Sequence, residues 1–182
     1  GDGACSGCGE KTGQHLIVAA VTALMRPHVN TRVKRLDELI EQLDARAREL
    51  LASDADLDAV GSAPAGHVDV ALGADKQALV EREAAVLRDL RDLRWRYVEG
   101  PSGGGRRSAG MVNSTGCSSV WGSTYPFNPY PFPWANHLFQ DSPSMAMGIF
   151  EGHMAKMAEG FKAIRTVELE LEDKYKPAEH DE

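Results

Sequence analysis

Apolar residues return every third and fourth position in four stretches of the chain, and between those stretches the pattern breaks. From Lys11 to Met25, the residues Leu16, Ile17, Ala20, Val21 and Leu24 share one helical face. Arg26-Pro27 predicts the end of that helix, because proline lacks the amide donor and disfavours helical backbone in the residue before it. From Thr31 the longest stripe begins: Val33, Leu36, Leu39, Ile40, Leu43, Ala47, Leu50 and Leu51, with Asn30 or Thr31 suited to cap it. Residues 53 to 73 supply Ser, Asp, Gly and Pro without a period. A further helix is expected from Asp75 to Tyr97, with Leu79, Val86, Leu90, Leu93 and Tyr97 on one stripe. Two adjacent helices of this kind predict an antiparallel hairpin.

After the glycine-rich segment 100–105 and the pair Arg106-Arg107, a short apolar piece, Ala109 to Val112, reads as a strand. Residues 122 to 137 mix prolines with Tyr125, Phe127, Tyr130, Phe132 and Trp134 and are expected to form a packed loop. A last amphipathic helix runs from about Met145 to Lys174, short of Pro177, with Met145, Met147, Met154 and Met157 read as core and the acidic run Glu168 to Asp173 as a solvated face.

Composition narrows the class. With 182 residues, 42% hydrophobic and 26% charged, the chain can bury a core and falls outside disordered sequences. A formal charge of −7 argues against a nucleic-acid partner, since phosphate backbones need a basic face. Leu16 to Met25, the longest apolar run, is half a membrane span, and no leader pattern is visible, so a cytoplasmic, membrane-free protein is expected. The three cysteines cannot pair off completely, and Cys5 and Cys8 form a C-x-x-C, which fits a reducing compartment.

The string CSGCGE, from Cys5 to Glu10, places two thiols three positions apart with glycines that permit a tight turn, so both sulfurs and nearby amides can face one ion or cluster. Taken alone it fits an iron–sulfur ligand pair, half of a zinc knuckle, or a redox pair. A second string, NSTGCSSVWGS from Asn113 to Ser123, puts Cys117 in a small-residue turn after the expected strand, where backbone can approach a phosphate or cofactor ring closely.

Together with PWANHLFQD, from Pro133 to Asp141, these strings occur in the order of three motifs of the pyruvate:ferredoxin (flavodoxin) oxidoreductases, and the chain resembles that family over about residues 1–26 and 109–150. The resemblance implies an α/β excerpt, mostly helical: residues 1–26 and 109–182 would be part of a thiamine-diphosphate and iron–sulfur domain, and 27–108 an inserted helical hairpin. It implies that Cys5, Cys8 and Cys117 are three of four thiolates on a [4Fe–4S] cluster. Glu10, Thr115, Gly116 and Ser118 match positions lining thiamine diphosphate.

The implied activity is oxidative decarboxylation of a 2-oxoacid, pyruvate favoured, with coenzyme A taking the acyl group and ferredoxin or flavodoxin the electrons. Implied partners are the remaining domains of a longer parent, itself a homo-oligomer. The family's magnesium motif would lie beyond Glu182. Gly1-Asp2-Gly3, with Asn30, imitates that motif without the preceding strand that a magnesium–diphosphate aspartate needs, and is set aside. His137 and Gln140 depart from the third motif, and the long separation of Cys8 from Cys117 departs from the family spacing. Trp121, Trp134 and Phe139 are read as packing around the turn. The rival from another class is a non-catalytic helical binding module whose three cysteines hold a structural zinc.

Overall fold

The computed structural model describes residues 5–53, 74–114, 116–122, 132–137, 142–176 and 179. The elements, in chain order, are helix α1 (Gly9–Ser53), helix α2 (Ala74–Val98), strand β1 (Met111–Ser114), the short helix α3 (Cys117–Gly122), strand β2 (Trp134–His137) and helix α4 (Ser142–Leu171). The chain divides into two compact units, Gly1–Val33 with Arg96–Ala158, and Lys34–Trp95 with Glu159–Glu182. Gly1-Asp2-Gly3, Thr115, Phe139, Gln140 and most of the segment 53–73 lie outside the described residues.

The helix expected to stop at Arg26-Pro27 does not stop: α1 runs unbroken from Gly9 to Ser53 with Pro27 inside it. The cost of an internal proline is the lost amide and a carbonyl, four residues back, without its donor. That carbonyl belongs to Ala23, and both Ala23 and Pro27 are exposed, so water can satisfy it. The hydroxyl of Thr31 donates to the Pro27 carbonyl at 3.0 Å and ties the next turn down.

In the unit formed by Lys34–Trp95 and Glu159–Glu182, the long stripe buries as its period predicts. Leu36, Leu39 and Leu43 of α1 are fully buried, and Leu87 and Leu90 of α2 and Ile164, Val167 and Leu169 of α4 join them in the core. Full burial of each such side chain contributes roughly 1.5–3 kcal/mol. Ion pairs show the helix directions. Asp37 pairs with Arg94, Asp44 with Arg91, and Arg46 with Glu83, so α1 and α2 run antiparallel in this unit. The hairpin also gains a third member. Arg35 of α1 reaches Glu168 of α4 at 3.1 Å, and Arg82 of α2 reaches Glu170 at 2.6 Å. At Gly160 a Cβ would lie 3.2 Å from Leu93 Cδ1, so a glycine there lets α4 approach α2 closely.

Two residues of the expected solvated acidic face behave otherwise: Leu169 and Glu170 are buried. Glu83 is also buried, its Oε1 3.0 Å from Arg46 Nε but without the alignment of a hydrogen bond to either carboxylate oxygen. Burial pushes the Glu83 carboxyl above the ordinary glutamate range, and Glu170 adds to that, against the opposing pull of Arg46 and Arg82.

The unit formed by Gly1–Val33 and Arg96–Ala158 has a different interior. Strands β1 and β2 pair in parallel, Met111 opposite Trp134 and Ser114 opposite His137, where a loop was expected for the second of them. The Met111 amide extends the ladder by donating to the Pro133 carbonyl at 2.8 Å. Phe132 is buried against Val18, Met111 and Trp134, its ring stacked on that of Trp134 at 6.2 Å between centroids. The stripe expected to be core on the first half of α1 is not: Leu16, Ile17 and Leu24 are about two-thirds exposed. Of the methionines expected in the core, Met147 and Met154 of α4 are also exposed.

Candidate functional site

Cys5 to Cys8 form a single turn closed by the Cys8 amide donating to the Cys5 carbonyl at 3.1 Å. Gly7 takes φ +74°, the left-handed conformation that a side chain would resist, although a Cβ there would meet no other atom. Glycine is therefore required by the backbone rather than by space.

The turn leads directly into α1, and Cys8 caps it. Its sulfur accepts from the Lys11 amide at 3.5 Å, the third amide of the helix, which a serine or aspartate oxygen would ordinarily take. Its carbonyl accepts from the Thr12 amide at 3.2 Å and the Thr12 hydroxyl at 3.0 Å. Cys8 is half-buried, and Cys5 is exposed. Glu10 stands exposed in the first turn of α1, where the helix dipole favours a carboxylate.

The second motif builds a strand–turn–helix. Asn113 near the end of β1 organises it: its Nδ2 donates to the Ser119 hydroxyl at 2.8 Å, and its Oδ1 accepts from the Ser118 hydroxyl at 2.8 Å. Ser119 in turn donates to the Ser114 carbonyl at 3.0 Å, and its amide to the Gly116 carbonyl at 3.1 Å. Sequence reading passed over Asn113 and Ser119 as partners. An asparagine five or six residues before small hydroxyl residues is a weak signal, because its amide can bond forward in many turns. Gly116 and Cys117 are exposed on this turn and Ser118 is half-buried.

All three cysteines are free thiols. Among the described residues, no three His, Cys, Asp or Glu side chains converge closely enough to hold a metal ion. The structure thus presents the Cys5–Cys8 turn and the Cys117 turn as two separate, locally ordered features. As placed, the three thiols do not converge on one metal ion. Among the described residues no helix is long and apolar enough to cross a membrane.

No family model matches the chain, and no solved structure matches it. Three curated proteins share short stretches with it. Over 50 residues it is 38% identical to pyruvate dehydrogenase (NADP(+)) of Cryptosporidium parvum, covering 24% of this chain and 3% of that protein. Over 52 residues it is 38% identical to pyruvate-flavodoxin oxidoreductase of Klebsiella pneumoniae, covering 25% and 4%. Over 49 residues it is 39% identical to the enzyme of the same name from Enterobacter agglomerans, covering 23% and 4%. About a quarter of the chain is thus related to pyruvate oxidoreductases, and the chain spans only a few per cent of the length of each relative.

Proposed function

We propose that this chain is a segment of a longer pyruvate-oxidising oxidoreductase, and that its two ordered turns serve that enzyme's cofactors. The observation that carries the reading is the short likeness to pyruvate oxidoreductases taken together with the Cys5–Cys8 turn, whose half-buried sulfur already accepts a backbone amide. Amide donors to sulfur stabilise thiolate ligands and tune iron–sulfur clusters, and a glycine turn is how two closely spaced cysteines reach one cluster. In this reading Cys5 and Cys8 are one half of a [4Fe–4S] ligand set, Cys117 joins them in the assembled enzyme, and the remaining thiolate comes from elsewhere in it. In the same reading Gly116 and Ser118, on the strand–turn–helix held by Asn113, serve thiamine diphosphate together with Thr115 and Glu10. Magnesium, coenzyme A and the ferredoxin or flavodoxin acceptor engage other parts of the parent.

The test uses the full-length parent, purified without oxygen. Cys5→Ala, Cys8→Ala and Cys117→Ala are each expected to lower bound iron and acid-labile sulfide and to abolish pyruvate-dependent reduction of a viologen dye. Full iron and sulfide in all three variants overturns the ligand assignment. Stoichiometric zinc without sulfide in the wild-type protein overturns the cluster reading and leaves a structural zinc module.

A further inference from the structure

In the unit formed by Gly1–Val33 and Arg96–Ala158 there is a cleft of about 380 Å³ that the cysteine motifs do not use. Its lining comes from the middle of α1, which supplies Thr22 and Arg26, and from the turn after α2, which supplies Arg106, Arg107 and Ser108. Val18 and the buried Phe132 form an apolar part of the wall.

Three arginines, Arg26, Arg106 and Arg107, line this one cleft in a chain of net charge −7. In the other unit the arginines Arg35, Arg46, Arg82, Arg91 and Arg94 each meet a carboxylate. In the cleft, Arg26 and Arg107 meet none among the described residues. Arg106 donates from Nη1 to the Tyr97 hydroxyl at 2.6 Å and lies 5.1 Å from the centre of that ring, which fixes its position without neutralising its charge.

The turn that carries Arg106 and Arg107 is rich in glycine. The turn folds back on α2, with the Arg106 amide donating to the Tyr97 carbonyl at 3.0 Å and Gly103, Gly105 and Gly100 in left-handed conformations. At Gly104 a Cβ would lie 2.0 Å from Arg107 Nη2 and 2.5 Å from its Cζ, so the guanidinium rests in the space that a side chain would occupy.

We propose that this cleft binds a small soluble organic phosphate, its phosphate on Arg26, Arg106 and Arg107 and its apolar body against Val18 and Phe132. Guanidinium groups match phosphate oxygens with paired hydrogen bonds, and Thr22 and Ser108 on the same lining carry further hydroxyl donors. A concave, partly apolar site with a few converging polar groups is the general form of a small-ligand pocket. The inference rests on the cleft alone and survives or fails independently of the cysteine assignment.

Titration calorimetry on the full 182-residue chain, with phenyl phosphate as the probe, tests it. One saturable site is expected, tighter for phenyl phosphate than for inorganic phosphate. Arg107→Gln should weaken binding about tenfold, the loss expected for one charge-assisted contact. Arg88→Gln, an exposed arginine of the other unit, removes the same charge and should leave binding unchanged.

No saturable heat, equal affinity for inorganic phosphate, or equal weakening by Arg88→Gln each overturns the proposal. Sedimentation with phosphatidate vesicles is the last arm: arginine-dependent capture there, without phenyl phosphate binding, assigns the cleft to a lipid headgroup instead.

Discussion

The helical unit of Lys34–Trp95 and Glu159–Glu182 buries leucines from three helices and seams them with ion pairs, whereas the unit carrying the cysteines buries Phe132 against a two-stranded parallel ladder. The same contrast shows on their surfaces. Leu16, Ile17 and Leu24 of α1 and Met147, Ile149, Phe150 and Met154 of α4 stand exposed in the cysteine unit. Parallel strands are ordinarily covered on both faces, and exposed large apolar side chains in series are ordinarily covered by something else. The difference teaches that packing and candidate chemistry are separated here: the best-made core holds none of the motif residues.

The comparison can be broken by substitution. Leu39→Ala, in the helical core, should cost about 2–5 kcal/mol in urea unfolding of the full chain, because the neighbouring helices close only partly around the lost volume. A cost below that range means the core is looser than its burial indicates. Gly105→Ala, in the cysteine unit, should cost roughly 1–2 kcal/mol from its left-handed backbone alone. A Cβ there would also lie 2.4 Å from the Tyr97 carbonyl oxygen. Faster amide exchange over residues 97–107 in that variant is the accompanying measurement.

Glu83→Gln runs in the opposite direction. The folded-state carboxyl titrates above its unfolded value because it is buried, so the folded protein holds that proton more firmly. Stability from Glu83 is therefore fully present below the ordinary glutamate pKa and is lost as pH rises through the raised value. The glutamine variant should match or exceed wild type at pH 7, by on the order of 1 kcal/mol, and the two curves should converge toward acid pH. Arg46 keeps the Glu170 carbonyl and Asp173, so the substitution does not strand its charge. Wild type more stable than the variant at neutral pH would show that the Arg46 pairing outweighs burial. The smallest effect belongs to Leu24→Ala, expected within about 0.5 kcal/mol because the side chain is already in water.

Periodicity in the sequence located the helical core well where a helix meets other helices. Leu36, Leu39, Leu43 and Leu90 stood on the expected stripes and are buried. It failed where the same pattern meets nothing in this chain: Leu16, Ile17 and Leu24 have the spacing of a core face, and spacing carries no information about whether a partner is present. Pro27 misled because an exposed helix can leave the freed carbonyl to water, so a proline inside it weakens the helix without having to end it. Glu170 fell in the run expected to be a solvated face and Glu83 carried no expectation, since a buried carboxylate is legible only once its arginine neighbours on other helices are known. At the candidate site, the Cys5–Cys8 turn and its glycine were legible from local chemistry. The Asn113 network was not, because it depends on the exact bend between β1 and α3.

That α1 is one continuous helix has a consequence for the cysteine turn in terms of nucleation. A helix gains its first turn at a loss and extends cheaply, so its ends inherit order from wherever it is anchored. The anchor of α1 is the buried stretch from Leu36 to Leu43. The Cys8 cap, the Lys11 amide on its sulfur and the Arg26 side of the cleft all lie upstream, on turns with little burial of their own. A peptide of residues 5–33, with proline at position 27 and no downstream anchor, should show little helix in water by circular dichroism, and its two thiols would lose the turn that holds them.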